Sequence, residues 1–265
     1  MRSAAVLICV IVLAAARTRA DEVSQVALSN NHFARALFAS VAAKQPGNIA
    51  FSPYSISTAL ALTYAGAKGP TAEEMAKVLH WESDPHPALA GLRRSRTEAG
   101  QHETVTLNVA NAIWGQEGDE FLPEFLGVVG RHHAGCLHRV DFARKTEKAR
   151  RTINDWVGLR TEGRIPELIG PDLLTPDTSL VLTNAVYFLG SWKYPFHGNR
   201  TADRDFELAS GEKVKVPTMR CSARLRYSSH QMVELPYRGG RLTMTIAVQK
   251  SLYEVQPTLE DVYFA

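Results

Sequence analysis

An α+β fold is predicted by the order in which two hydrophobic periods occur along 265 residues. Helical spacing dominates the first half, short alternating strands fill the part after residue 200, and a long apolar stretch, Thr178–Trp192, separates them. Helices first and antiparallel strands later argue against alternating βαβ units. The chain is 45% apolar and 22% charged, with 18 Gly and 13 Pro, an ordinary globular composition able to bury a large core. Three cysteines are too few for a disulfide scaffold. No repeat or linker is evident, so residues 21–265 read as one domain.

Residues 1–20 stand apart. Arg2, Arg17 and Arg19 flank the apolar run Ala4–Ala16, and Thr18-Arg19-Ala20 precedes Asp21-Glu22. A basic start, a short apolar core and small residues before an acidic pair make a secretory signal, and the run is shorter than the roughly 20 residues a membrane helix needs. Removal after Ala20 leaves 27 basic against 27 acidic residues. A neutral mature chain has no general attraction to nucleic acid or to an anionic membrane, and secretion into the extracellular space is expected. Cys9 leaves with the signal; Cys136 and Cys221 remain, either paired or as two buried thiols. Asn199-Arg200-Thr201 is an N-glycosylation acceptor.

After the signal, Phe33, Ala34, Leu37, Phe38 and Val41 recur at helical spacing. Asn48–Phe51 reads as a short strand. Ser52-Pro53 opens a second helix, with serine as cap and proline at the first position. Its Ile56, Ala59, Leu60, Leu62 and Ala65 cover most faces, so it belongs in the interior. Thr71 and Glu74 have the spacing of a capping box at the head of a third helix. Residues 82–103 read as a polar connection with a short helix near Ala88–Arg94. Thr104–Trp114 alternates as a strand; Phe121, Phe125, Val128 and Val129 form a helical stripe; Leu137–Phe142 is a short strand. Ala149, Ile153, Trp156 and Val157 mark a helix whose Lys145, Lys148, Arg151 and Asp155 face solvent. Thr178–Trp192 is a central strand. Asp205–Leu208, Lys213–Thr218, Arg224–Tyr227, Gln231–Tyr237 and Leu242–Val248 are strands joined by Gly-containing turns.

Catalytic signatures are absent from the sequence: there is no G-x-S-x-G, H-E-x-x-H, G-x-G-x-x-G or C-x-x-C, and no enzyme or cofactor is expected. Gly66–Thr71 lacks the Gly-Lys-Ser/Thr of a phosphate loop. His132-His133-x-x-Cys136-x-His138 carries metal-ligand residue types, but adjacent helical residues point about 100° apart, so exposed side chains at a helix end are expected and no metal. Arg93, Arg94 and Arg96 lack a second basic cluster, which argues for a solvated loop over a glycosaminoglycan site.

The informative stretches are of another kind. Asn48-Ile-Ala-Phe-Ser-Pro-Tyr-Ser-Ile-Ser-Thr-Ala-Leu and Gly66-Ala-Lys-Gly-Pro-Thr-Ala-Glu-Glu-Met are followed by Ile153-Asn-Asp-Trp-Val with Thr161-Glu-Gly-Arg-Ile-Pro-Glu-Leu-Ile. Leu182-Thr-Asn-Ala-Val-Tyr-Phe-Leu-Gly-Ser-Trp, Val216-Pro-Thr-Met and Val233-Glu-Leu-Pro-Tyr-Arg-Gly complete the set. In order and approximate spacing these blocks resemble the serpin family over about residues 24–249. The resemblance implies N-terminal helices packed on a mixed main sheet, and an inhibitor whose cleaved reactive loop inserts into that sheet to trap a serine protease. It further implies that Ser52, Ser55 and Asn184 lie at the shutter, where the sheet parts beneath the second helix. It puts Trp192 at the breach, where insertion begins. The family pattern continues after Val248 into further helices, two sheet strands, a hinge and the reactive loop. Gln249–Ala265 resembles none of these, so residues 250–265 read as a divergent tail on an incomplete domain. No cleavage-site residue can then be named, and the 265 residues are not expected to trap a protease. A non-inhibitory carrier or decoy is the alternative.

Overall fold

The computed structural model describes residues 6–13, 20–44, 47–102, 105–133, 137–208, 210–228 and 232–249. They fall into two compact units. One takes in the described residues of Arg17–Glu98 and Leu107–Phe188, the other those of Met1–Ala16, Ala99–Thr106 and Leu189–Ala265.

The larger unit begins with α1 (Ala20–Ala42). Asn48–Phe51 is not a strand, since no neighbour among the described residues pairs with it; Phe51 instead stacks on Phe38 of α1 at 6.4 Å. Then α2 (Pro53–Tyr64) starts as its sequence requires, with the Ser52 side chain accepting from the Ser55 amide and Pro53 in the first turn. Ser55, Ser57, Thr58, Ala59, Ala61 and Leu62 are all buried, so this helix runs through the interior. α3 (Gly69–Val78) differs from expectation: its cap position is Lys68, which gives no side-chain bond. Proline fixes a helical φ and needs no amide partner in the first turn, so Gly69-Pro70 starts the helix early and Thr71 sits too deep to cap it.

α4 (His86–Gly100) is also longer than the sequence suggests. Ala88, Leu89, Ala90 and Leu92 are buried, and Leu89 and Leu92 pack with Val26, Phe33, Ala61, Leu79 and Trp81. Tertiary burial of that stripe carries the helix through a polar segment whose own propensity is indifferent. Arg93 and Arg94 are consequently on an exposed helix face, not a loop.

β3 (Val105–Gln116) organises the sheet. It pairs antiparallel with β2 (Gln101–His102) at one end, parallel with β4 (Leu137–Val140) at the other, and with β5 (Leu180–Gly190). This is the mixed sheet expected. α5 (Pro123–His132) and α6 (Phe142–Arg160) cover it. Ala112 and Trp114 pack against Phe142, Ala149 and Ile153, while Ile113 meets Leu62 of α2 and Val129 of α5. Complete burial of a Leu or Ile side chain contributes about 1.5–3 kcal/mol, so Leu62 and Ile113, with 0% and 2% exposure, fix α2 on the sheet. Lys145, Lys148, Arg151 and Asp155 are exposed, as their helix face predicts.

In the smaller unit β6 (Ala202–Glu207) and β7 (Lys213–Thr218) form an exposed hairpin. β8 (Arg226–Ser228), β9 (Met232–Pro236) and β10 (Leu242–Gln249) form a second sheet. Its fourth member is β1 (Val6–Leu13), antiparallel to β10 from Val6 opposite Gln249 to Leu13 opposite Leu242. The apolar N-terminal run is therefore a strand along the edge of β10. Among the described residues no helix is long and apolar enough to cross a membrane.

Candidate functional site: a polar hub between α2 and the sheet

Three elements place polar side chains together where apolar packing surrounds them. β5 contributes Asn184, whose Nδ2 donates to the Ser55 carbonyl of α2 at 3.2 Å and to Asn111 Oδ1 of β3. Asn111 Nδ2 in turn donates to Thr58 Oγ1 at 3.0 Å, and the Thr58 hydroxyl donates to the Tyr54 carbonyl at 2.8 Å. The direction of donation is the same throughout, from β5 through β3 to α2, so each bond polarises the next. Thr58 is 6% exposed; in that setting an unmatched hydroxyl or amide is costly, which is why the chain of donors is complete. One group is not matched. Ser55 Oγ is buried and has no hydrogen-bond partner among the described residues.

Ser55 and Asn184 are thus in direct contact, through the Ser55 backbone. Ser52 is committed to capping α2, its Oγ accepting from Ser55 N at 3.3 Å. Trp192 belongs to the smaller unit. It bridges to Tyr237 and stacks on that ring at 4.4 Å and 14°, with Phe196 edge-on at 6.2 Å. Backbone bonds from Lys193 N to Pro236 O and from Arg238 N to Ser191 O fix the crossing. Sequence reasoning missed Asn111 and Thr58. Asn111 stands in the sequence of β3 with nothing local to set it apart from a solvent-facing residue or to pair it with Thr58.

The other candidates fall elsewhere. Asn199 is exposed in a single 3-10 turn, Gly198–Arg200. Cys221 is a free thiol 3.7 Å from the Tyr194 carbonyl, and Cys136 lies outside the described residues, as does the side chain of Arg96. The histidines at the end of α5 are half-buried, where exposure was expected, because His133 meets His86 of α4. His138 is turned away from them, stacked on Trp114 at 4.5 Å. Burial and the nearby Arg160 push its imidazole below its ordinary range.

A second polar device explains the block after α6. Asn154, 6% exposed, donates to Ile169 O and accepts from the amides of Leu168 and Ile169. Thr161 Oγ1 donates to Val157 O and accepts from Ile165 N, while Gly163 takes φ +71°. Glycine adopts that left-handed turn without a Cβ penalty, and the helix end folds back onto itself.

A mixed sheet carrying a buried N-terminal helix over a polar hub defines the class of scaffold to which this chain conforms. The family model described as serpin (serine protease inhibitor) matches residues 28–262, past the point where the sequence reading placed a divergent tail. The chain belongs to the serpin family. Leukocyte elastase inhibitor A of Mus musculus is 35% identical over 246 residues, 90% of this chain and 64% of that protein. An uncharacterized serpin-like protein of Methanosarcina mazei is 36% identical over 248 residues, 89% of this chain and 58% of that protein. Among solved structures, maspin superposes with a TM-score of 0.80 at 26% identity, covering 89% of this chain and 66% of that one. A cleaved serpin, Serpin 42Da, gives 0.78 at 29% identity over 89% of this chain and 66% of that one. The chain thus spans about three fifths of the length of these curated relatives. Serpins are protease inhibitors rather than enzymes, in keeping with the lack of a nucleophile motif.

Proposed function

We propose that these residues form the body of a secreted inhibitor of serine endopeptidases that works by rearranging the sheet beneath α2. The observation carrying this reading is the Asn184–Asn111–Thr58 chain together with the Ser55 hydroxyl, which has no partner among the described residues. Amides and hydroxyls can exchange hydrogen-bond partners with no change of charge, so a sheet joined to a helix through them can part and close again at low cost. Family resemblance gives Ser52, Ser55 and Asn184 that role and gives Trp192 the role of the entry point for an added strand. Relatives named as elastase inhibitors support serine proteases as partners. The signal-like residues 1–20 support export, and the exposed Asn199 supports a glycan. Val6–Leu13 would then be missing from the mature chain.

The test uses protein isolated from its natural source, incubated with trypsin-, chymotrypsin- and elastase-like enzymes. An SDS-resistant adduct with one of them is expected if the isolated protein continues past Val248 into a hinge and reactive loop. Turnover of the protein as an ordinary substrate by all three would overturn the inhibitory reading in favour of a carrier or decoy.

A further inference from the structure

His86 is the first residue of α4 and His133 follows the last residue of α5. Their rings meet edge to face, with centroids 5.0 Å apart at 83°, and His86 Nδ1 lies 2.9 Å from His133 Nε2. Such a bond needs one protonated and one bare nitrogen, which two neutral imidazoles provide. His86 is 5% exposed. Tyr64 of α2 tilts against it at 5.8 Å and His132 of α5 stacks beside it at 6.3 Å.

Among the described residues the charged groups facing the pair are few. Asp84 accepts the His86 backbone N–H at 3.0 Å, and its carboxylate lies 4.0 Å from His86 Nε2. Arg93, about two turns further along α4, acts on His133. Burial lowers both imidazoles below their ordinary value. For His133 the proximity of His86, His132 and Arg93 adds to burial and takes it to about 3, with only Asp84 opposing.

We propose that the His86–His133 contact is a pH-sensitive latch, holding the C-terminal end of α5 against the start of α4 while both rings are neutral and letting it go in mild acid. The first proton added to the neutral pair makes one ring an imidazolium that can still donate to the other, at the cost of a buried charge, and a second makes both rings imidazolium with no bare nitrogen left to accept. Released rings reach water and titrate near 6.5, so the open form binds more protons than the closed one. The latch is therefore fully effective above pH 6.5 and weakens as pH falls from there toward 3. The released His133 imidazole favours opening by about tenfold per pH unit in that window, and His86, lowered by burial, acts in the same direction. The consequence reaches inward, because Val129, one turn before the latch, packs on Leu62 of α2 and Ile113 of β3.

Hydrogen exchange on the 265-residue chain tests this. The His133 amide, which donates to Val129 O, reports the end of α5. Its opening constant, corrected for intrinsic exchange, should rise about tenfold or more between pH 7.5 and 5.5. In His133→Gln, which keeps a hydrogen-bonding side chain with no titration, residue 133's amide should lose at least half of that logarithmic rise. If the variant does not fold, imidazole carbon shifts of the parent chain give the same answer: both rings stay neutral at pH 6 and titrate only as protection is lost. Equal protection at both pH values, an undiminished pH dependence in His133→Gln, or rings that titrate near 6.5 in a fully protected chain would each overturn the latch.

Discussion

Replacing Asn184 with alanine removes the one donor that reaches both the Ser55 carbonyl and Asn111 Oδ1. The acceptors left behind are partly shielded from water, so a loss of about 1–3 kcal/mol is expected. Asn199→Ala, on an exposed turn, should stay within about 0.5 kcal/mol. Urea midpoints of the two variants measure the difference, and equal shifts would show that the donor chain does not hold α2 to the sheet. At Asn199 itself a separate outcome is expected: expression through a eukaryotic secretory pathway should add one glycan, removable by a glycosidase with the matching mass change. Ser55 and Asn184 could be singled out before any coordinates because the residues around them resemble a family. Asn111 and Thr58 could not. Fifty-three positions separate them in sequence, and only the packing of β3 beneath α2 makes them partners; an asparagine in an alternating strand otherwise looks like a solvent-facing residue.

Elements were legible where one local signal dominated. Ser52-Pro53 marks the head of α2 to the residue, and Ile153, Trp156 and Val157 mark the inner face of α6. They were illegible where packing outweighed local preference. α4 runs through Arg93-Arg94-Ser95-Arg96 because Leu89 and Leu92 are held against Trp81 and Leu79. α3 ignores the Thr71–Glu74 box because a proline placed one residue earlier already begins the helix. The turn after α6 gives the clearest test at this scale. Asn154→Ala would strand the amide and carbonyl of Ile169, where water has little access, and the amide of the more exposed Leu168. A cost of about 3 kcal/mol is expected, and it should appear as faster proteolysis within residues 161–174 as well as a lower melting temperature. A stability change below about 1 kcal/mol would mean that apolar packing around Ile169, not the amide clamp, holds the segment.

For the whole molecule, the α+β class and the order of the later strands followed from hydrophobic period and the mixed sheet from the family resemblance, whereas the partner of the last strand followed from neither. Alternation identifies Leu242–Gln249 as a strand but carries no information about its neighbours. In the structure β10 lies between β9 and the apolar β1, eight residues in register. If Val6–Leu13 belongs to a secretory signal, the mature chain begins at Asp21 and loses this strand, which N-terminal sequencing of the exported protein would show directly. Removing it uncovers a run of backbone donors and acceptors along an apolar strand that bears no charge from Leu242 to Gln249. Natural edges are usually blunted by lysine, proline or a bulge, and none of these protects this one. Residues 21–265, prepared without the leader, should therefore associate as concentration rises, through pairing at β10. Sedimentation across roughly 1–100 μM measures this. Ile246→Lys, placing a charge in the middle of the exposed strand, should suppress the association. A monodisperse monomer at every concentration would show that β10 keeps a covered edge after residues 1–20 are gone, and that β1 is not what shields it.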